Sequence, residues 1–250
     1  VWLRLLAIIA VAISTLLTQP AQAQSASPNA LTWENECLGC KKRFTNMTDR
    51  SLRLDADGHP HIAYGDNHLY YAWYDGSAWQ RATVDPGNGV GQYAALALDE
   101  DGYAHISYYD DTNFDLRYAY QDATGWYTQT VDSDGYTGKY TSIALDGDGY
   151  SHIAYNYNFG GSWGVKYAYQ DAGGWNYQIV DNNGGNGRST AYLSLALNST
   201  GLPAIAYMDL SRDDLIVASS DGTNWSRYTV DSIEVTGGVS LAFDHTDYPH

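Results

Sequence analysis

Aromatic rings beside carboxylates are the chemistry this chain offers most of. It carries 23 Tyr and 8 Trp, with 7 His, 29 Asp plus Glu and 13 Lys plus Arg. Flat rings stack on sugar faces, and adjacent carboxylates and guanidinium groups hydrogen-bond sugar hydroxyls. Ten such residues stand in segments that vary: Tyr93, Tyr109, Asp110, Asp111, Tyr140, Tyr157, Trp163, Tyr192, Asp209 and Arg212. They are the candidate ligand-binding residues, and the aromatics among them read as exposed. The competing reading is that these tyrosines pack between sheets, where buried Tyr is common. Arg53 joins them because related positions hold Ala97, Ala144, Ala196 and Ala242. A charge at such a crowded position is costly unless paired. It reads either as an ion pair to a neighbouring sheet or as a ligand-facing cation.

Other chemistry is weaker. His61, His105, His152 and His250 recur at one position, which suggests a metal. Repeated equivalents lie too far apart to share a zinc, whose ligand bonds are roughly 2 Å. A structural His, bonded to turn backbone, is expected instead. The D-x-D-G segments at Asp55, Asp99 and Asp146 suggest calcium, but a calcium loop needs about six to eight oxygens. Hairpin turns are the leading reading, with weak calcium binding the alternative and no other cofactor expected. Glycoside hydrolysis uses two carboxylates, or a Tyr nucleophile in sialidases. Glu occurs only at Glu34, Glu36, Glu100 and Glu234, so no catalytic residue is assigned. Cys37 and Cys40, in CLGC, read as a local disulfide in an exported chain. Free thiols are a second reading. A zinc, haem or redox pair is a third, though Lys41 stands where haem attachment needs His.

The elements that position these residues are repeats. ALALDEDGYAHISY at 95–108 returns as SIALDGDGYSHIAY at 142–155 and SLALNSTGLPAIAY at 194–207. SLRLDADGHPHIAY precedes them at 51–64, and SLAFDHTDYPH follows at 240–250. Trp79, Trp126, Trp175 and Trp225 are separated by 47, 49 and 50 residues. Periods of this size mark propellers or arrays. Each period holds four short strands, A to D, separated by a D-x-D-G turn, a variable loop and a D-G-x-x-W or D-x-x-G-W turn. Four antiparallel strands in about 47 residues make a propeller blade. The fold class is therefore all-β, a propeller of four complete blades and part of a fifth. On such a scaffold the A–B and C–D turns share one face. The B–C loops and D–A linkers share the other, where the candidate residues fall and where binding usually sits.

The pattern S-L-A-L-D-x-x-G-x-x-H-I-S-Y-Y-D, then L-x-Y-A and D-G-x-x-W, resembles the tandem repeats of exported bacterial β-propellers of the sialidase-like, BNR/Asp-box-related kind. The resemblance covers residues 51–250. In the Asp-box, Asp stands five residues before Trp; here the interval is four, as from Asp122 to Trp126. The family's enzymes also carry an arginine cluster, and these repeats place no three arginines together. The resemblance implies the fold first, with a sialidase-like hydrolase as the runner-up function. The leading function is a non-catalytic binding or adhesion propeller for a glycan or cell-surface partner. A structural spacer is the third.

Residues 1–23 read as a signal peptide: Arg4, an apolar run, then Ala21-Gln22-Ala23. Residues 24–50 form an N-terminal segment, and 51–250 the repeats. The chain is thus expected to be secreted or at the cell surface, monomeric, and not membrane-inserted after cleavage. Its net charge of −16 disfavours nucleic acid. The partial fifth copy predicts further blades, about six to eight in all. Trp33 falls in phase with strand D, so residues 32–38 are expected to complete the last blade.

Overall fold

The computed structural model describes residues 49–182, 190–232 and 237–250. The expected signal peptide, the CLGC pair Cys37 and Cys40, and the expected closing strand lie outside the described residues. A short 3-10 turn, Asp49–Ser51, leads into four sheets. The first is β1 (Leu52–Leu54), β2 (Pro60–Gly65), β3 (Leu69–Tyr74) and β4 (Trp79–Asp85). The second is β5 (Val90–Leu98), β6 (Ala104–Asp110), β7 (Asp115–Asp122) and β8 (Gly125–Asp132). The third is β9 (Tyr136–Leu145), β10 (Ser151–Phe159), β11 (Ser162–Asp171) and β12 (Gly174–Asp181). The fourth is β13 (Thr190–Leu197), β14 (Pro203–Asp209), β15 (Asp214–Ser220) and β16 (Trp225–Asp231). Every pairing is antiparallel between sequence neighbours, as a propeller blade requires.

The core lies between sheets. Ala63, Leu69 and Tyr71 of the first sheet pack on Leu96, Ile106 and Tyr108 of the second. Leu116 and Tyr118 pack on Ile143 and Ile153, and Val165 and Tyr167 on Leu193 and Ile205. Each repeat Trp after the first meets a Tyr of the preceding blade edge-on: Trp126 on Tyr71 at 5.2 Å, Trp175 on Tyr118 at 5.4 Å and Trp225 on Tyr167 at 5.4 Å. These offset geometries suit the ring quadrupoles. Hydrogen bonds at or near the first strands also cross the seams. There Ser51 Oγ donates to the Ala94 carbonyl (2.7 Å), and Ser142 Oγ accepts from the Leu195 amide (3.0 Å). Ser194 Oγ accepts from Leu241 (2.9 Å) in the fifth copy, and the Arg50 guanidinium donates to the Val239 carbonyl (3.0 Å).

The Val-Asp that ends strand D carries the main polar tie between blades. Asp85, Asp132 and Asp181 are buried. Each accepts a strand-B tyrosine hydroxyl from the next blade: Tyr108, Tyr155 and Tyr207, all at 2.7 Å. Each also meets a cation from that blade. Arg117 lies 3.2 Å from Asp85, Lys166 3.0 Å from Asp132, and Arg227 pairs with Asp181. A buried carboxylate is tolerated only with such partners.

The turn acids and histidines are structural. Asp55 Oδ1 accepts the amides of Asp57 and His59, and Asp99, Asp146 and Asp244 repeat this two and four residues on. Asn198 does the same in the fourth blade. The expected bond from His to turn backbone is corrected. His152 Nε2 faces Asp146 Oδ2 at 3.2 Å and Nδ1 meets the Tyr167 hydroxyl; His61 and His105 have matching partners. Ligand atoms of Asp55, Asp57 and His59 lie within 4.8 Å of one another, but the Asp55 carboxylate is already shared between two amides and two imidazoles.

Part of the variable B–C side is strand. Residues 156–164 form mostly paired strand, with only Gly160 and Gly161 between β10 and β11. Gly91–Tyr93 and Lys139–Tyr140, between the strand-D and strand-A repeats, lie inside β5 and β9.

Replacing Asp132 with Ala leaves the Tyr155 hydroxyl buried without its acceptor and the Lys166 ammonium with only the solvent-exposed Asp134 carboxylate, 3.8 Å away. Stability should fall by about 3–5 kcal/mol, read as a lower urea midpoint. Adding Lys166→Met should recover part of the loss. A second expectation concerns acid. Burial holds His105 and His152 below the ordinary imidazole pKa, and their Asp partners offset only part of that. As pH falls through about 6.5, the unfolded chain binds protons that the folded chain rejects, so stability is lost. Burial tends to raise Asp146, but hydrogen bonds from His152 and from the Tyr150 and Asp148 amides outweigh it, and its pKa is lowered. That adds a further loss below the ordinary carboxylate range. Urea midpoints should decline from about pH 7 to about pH 5, less steeply in His152→Gln.

Candidate functional site

The site begins with a repeated β-bulge. In β5, Gln92 pairs with Tyr109 and Ala95 with Ser107, so Tyr93 and Ala94 together oppose Tyr108. In β9, Tyr140 and Thr141 oppose Tyr155; in β13, Tyr192 and Leu193 oppose Tyr207. Tyr108, Tyr155 and Tyr207 are the residues that reach the buried Asp of the preceding blade. A bulge bends its strand and re-aims side chains. Gly91 and Gly138, at φ 98° and 101°, let the bulged strands cross close to the preceding blade; a Cβ on Gly138 would lie 2.7 Å from the Leu116 Cα.

The first bulge residue is Tyr in all three blades, at φ 54°, 52° and 56°. This left-handed conformation is unusual for a bulky residue and stores about 1–3 kcal/mol of strain at each position. Gly or Asn would adopt it more easily. The Tyr rings form a half-buried row: Tyr93 to Tyr140 at 4.6 Å between centroids, and Tyr140 to Tyr192 at 5.5 Å. Thr141 Oγ1 donates to the Tyr93 carbonyl at 2.8 Å and pins the row across the seam. Burial, then the neighbouring Tyr140 and Asp111, push the Tyr93 hydroxyl up to about 12, so it is a neutral donor at pH 7.

The row continues sideways. The Tyr109 ring lies edge-on to Tyr93 at 6.2 Å. The Lys139 ammonium sits over Tyr109 at 5.2 Å and over Trp163 at 5.3 Å. Both are cation–π distances. Asp111 is exposed beside Tyr93 and Tyr109 and raises both hydroxyl pKa values, after burial. Val90 pairs with Asp110, which places the whole group on the B–C side of the sheets.

Of the sequence candidates, Tyr93, Tyr109, Asp111, Tyr140, Trp163 and Tyr192 come together. The expectation that the aromatics are exposed is corrected for Tyr109 and Tyr157, which are buried; Asp110 and Asp209 are buried too. Asp110 caps its turn, accepting the Thr112 and Asn113 amides at 2.9 and 3.0 Å and the Asn113 side chain at 2.8 Å. Asp209 caps the matching turn through Ser211 at 3.0 Å, with Arg212 3.9 Å away. Tyr157 packs under Lys166, 5.1 Å from the ring. Arg53 is paired with His61 across β1–β2 and donates to the Leu52 carbonyl at 2.8 Å, away from the bulge end of the inner strands. Lys139 was missed as a site residue. Its signal was present: it is one of four lysines in an acidic chain and directly precedes Tyr140.

Two clefts lie elsewhere. One of about 480 Å³ runs between β12 and β16, lined by Gln178, Asp181, Trp225 and Arg227. Another of about 420 Å³ lies between the A–B turns of the second and third blades, lined by Asp99, Glu100, Asp101, Asp146 and Asp148.

No family model matches the sequence, and no curated protein does. Solved structures match in fold. A triple arginine-to-alanine mutant of AofleA from Arthrobotrys oligospora is 14% identical, with a TM-score of 0.58, over 79% of this chain and 62% of its own. A polysaccharide lyase of family PL25, an ulvan lyase bound to an oligosaccharide of glucuronate and sulfated rhamnose, is 14% identical, with a TM-score of 0.51, over 76% and 60%. A bifunctional GH43-CE protein from Bacteroides eggerthii is 13% identical, with a TM-score of 0.50, over 82% and 30%. The chain spans less than two thirds of the length of each. At such identities the likeness shows the fold: four antiparallel sheets arranged as blades of a β-propeller.

Proposed function

We propose that this chain is an exported β-propeller that binds glycans on its B–C face without cleaving them. The tyrosine row carries the reading. The bulge itself has a structural reason, since it re-aims Tyr108, Tyr155 and Tyr207 toward the buried aspartates. The choice of Tyr at the strained position has none. The corresponding positions are Asp49 before the first blade and Gly238 before the fifth copy. Three half-buried rings held in line, with Asp111 and neutral hydroxyls beside them, suit the stacking and hydrogen bonding that sugars need. A cell-surface glycoconjugate fits the same chemistry and agrees with the leader expected at residues 1–23.

Hydrolysis fits less well. Burial, then the nearby Asp110, raises the pKa of Asp115, as a general acid requires. Its neighbour Asp110 is occupied by three turn hydrogen bonds and an Arg117 contact at 3.8 Å. Glu100 lies in the opposite, A–B turn. The resemblance to sialidase-like repeats therefore bears on architecture.

Glycan-array binding by the full chain tests the reading. Tyr140→Ala and Trp163→Ala should remain folded and lose about tenfold or more in affinity, as loss of a stacking ring does. Binding that survives both changes would count against the site. Turnover of a chromogenic glycoside by the wild type would count against a non-catalytic role.

A further inference from the structure

We propose that this glycan site selects anionic sugars, those bearing a carboxylate or a sulfate ester, and that Lys139 is the group that reads the charge. The inference rests on the glycan-binding reading above and names its ligand class.

The residues around Lys139 are those that depart from the repeat. Tyr109 stands where the other blades have Gly65, Asn156 and Met208. Lys139 stands where they have Gln92 and Ala191. Trp163 stands where they have Phe114 and Asp213. Blade construction asks for none of the three, yet they meet at the seam between the second and third blades. The Tyr109 ring is held there although its buried hydroxyl has no hydrogen-bond partner among the described residues. What the position presents to Lys139 is the ring face.

The electrostatics point the same way. Arg117, Lys166 and Arg227 each pair with a buried strand-D aspartate, and Arg212 lies 3.9 Å from Asp209. Lys139 has no carboxylate within 4.0 Å among the described residues, in a chain of 29 acidic side chains. Two ring faces hold its ammonium instead. Rings attract a cation through their quadrupoles but do not neutralise it, and its N–H donors remain for an anion. An ammonium is a compact point charge, which suits a carboxylate or sulfate without demanding the paired geometry of a guanidinium. The adjacent row Tyr93–Tyr140–Tyr192 would carry the sugar rings, with the anionic substituent directed to Lys139.

Titration calorimetry on the full chain with three probes tests this. They are oligogalacturonate, its fully methyl-esterified form, and oligosaccharides of kappa-carrageenan, which carry sulfate only. At least one anionic probe should bind about tenfold or more tighter than the neutral ester, and less tightly as NaCl rises from about 50 to about 300 mM. Lys139→Met should abolish that preference and Lys139→Arg should keep most of it, with urea midpoints near wild type. Preference for the galacturonate assigns a uronate, and preference for the carrageenan fragment a sulfate ester; either supports the proposal. Equal binding of acid and ester, or a preference that survives Lys139→Met, overturns it and leaves glycan binding standing. Binding of none of the three overturns it, and the glycan array then decides the reading beneath it.

Discussion

The buried aspartate at the end of each strand D is the interaction on which the rest of the chain's geometry depends. A carboxylate between two sheets is tolerable only if hydrogen bonds and a cation replace its water. Asp85, Asp132 and Asp181 obtain both from the following blade. The demand is directional. It needs a tyrosine from strand B and a basic side chain from strand C or D at defined depth, so it sets how each blade sits on the one before. Apolar packing at the seam would tolerate sliding; a bidirectionally satisfied carboxylate does not.

That demand leads to the bulge, and the bulge to the site. To send Tyr108, Tyr155 and Tyr207 down to the aspartates, the inner strands carry one extra residue opposite each of them. The extra residue takes a left-handed conformation and projects its side chain at the B–C end. Tyr fills that place in three successive blades despite the strain. The scaffold thus generates a row of equivalent positions, and sequence variation around them makes one seam different. Between the second and third blades, Tyr109, Lys139 and Trp163 break the repeat and cluster. Symmetry builds the platform; departures from symmetry give it chemistry.

The acidic composition has a local explanation. Asp55, Asp99 and Asp146 cap A–B turns, while Asp75, Asp122, Asp171 and Asp221 accept turn amides between strands C and D. The Thr124 hydroxyl, then the Thr124 amide, lowers the Asp122 carboxyl pKa, and the Asn224 and Thr223 amides lower that of Asp221. Much of the net charge is therefore turn construction repeated blade by blade. It says little about a partner, and an unpaired lysine in that setting says more.

The sequence alone determined the blade. Its period, its four strands and its turn acids are local signals, because hairpin turns and strand alternation depend on residues only a few positions apart. The Trp spacing located all four sheets, and the variable B–C side was legible as the place for a site. Tertiary structure decided which candidates belong to it. Asp110 and Asp209 read as ligand groups, but capping a turn and binding a ligand call on the same carboxylate, and only the fold shows the cap. Tyr157 reads as exposed, but a register that carries β10 on to Phe159 puts it under Lys166. The bulges were illegible because a bulge is a mismatch between two strands, and neither strand records it alone. Lys139 escaped notice for the same reason. Its partners come from residues 30 positions before it and 24 after it, and ring faces attract a cation only when the chain brings them to it.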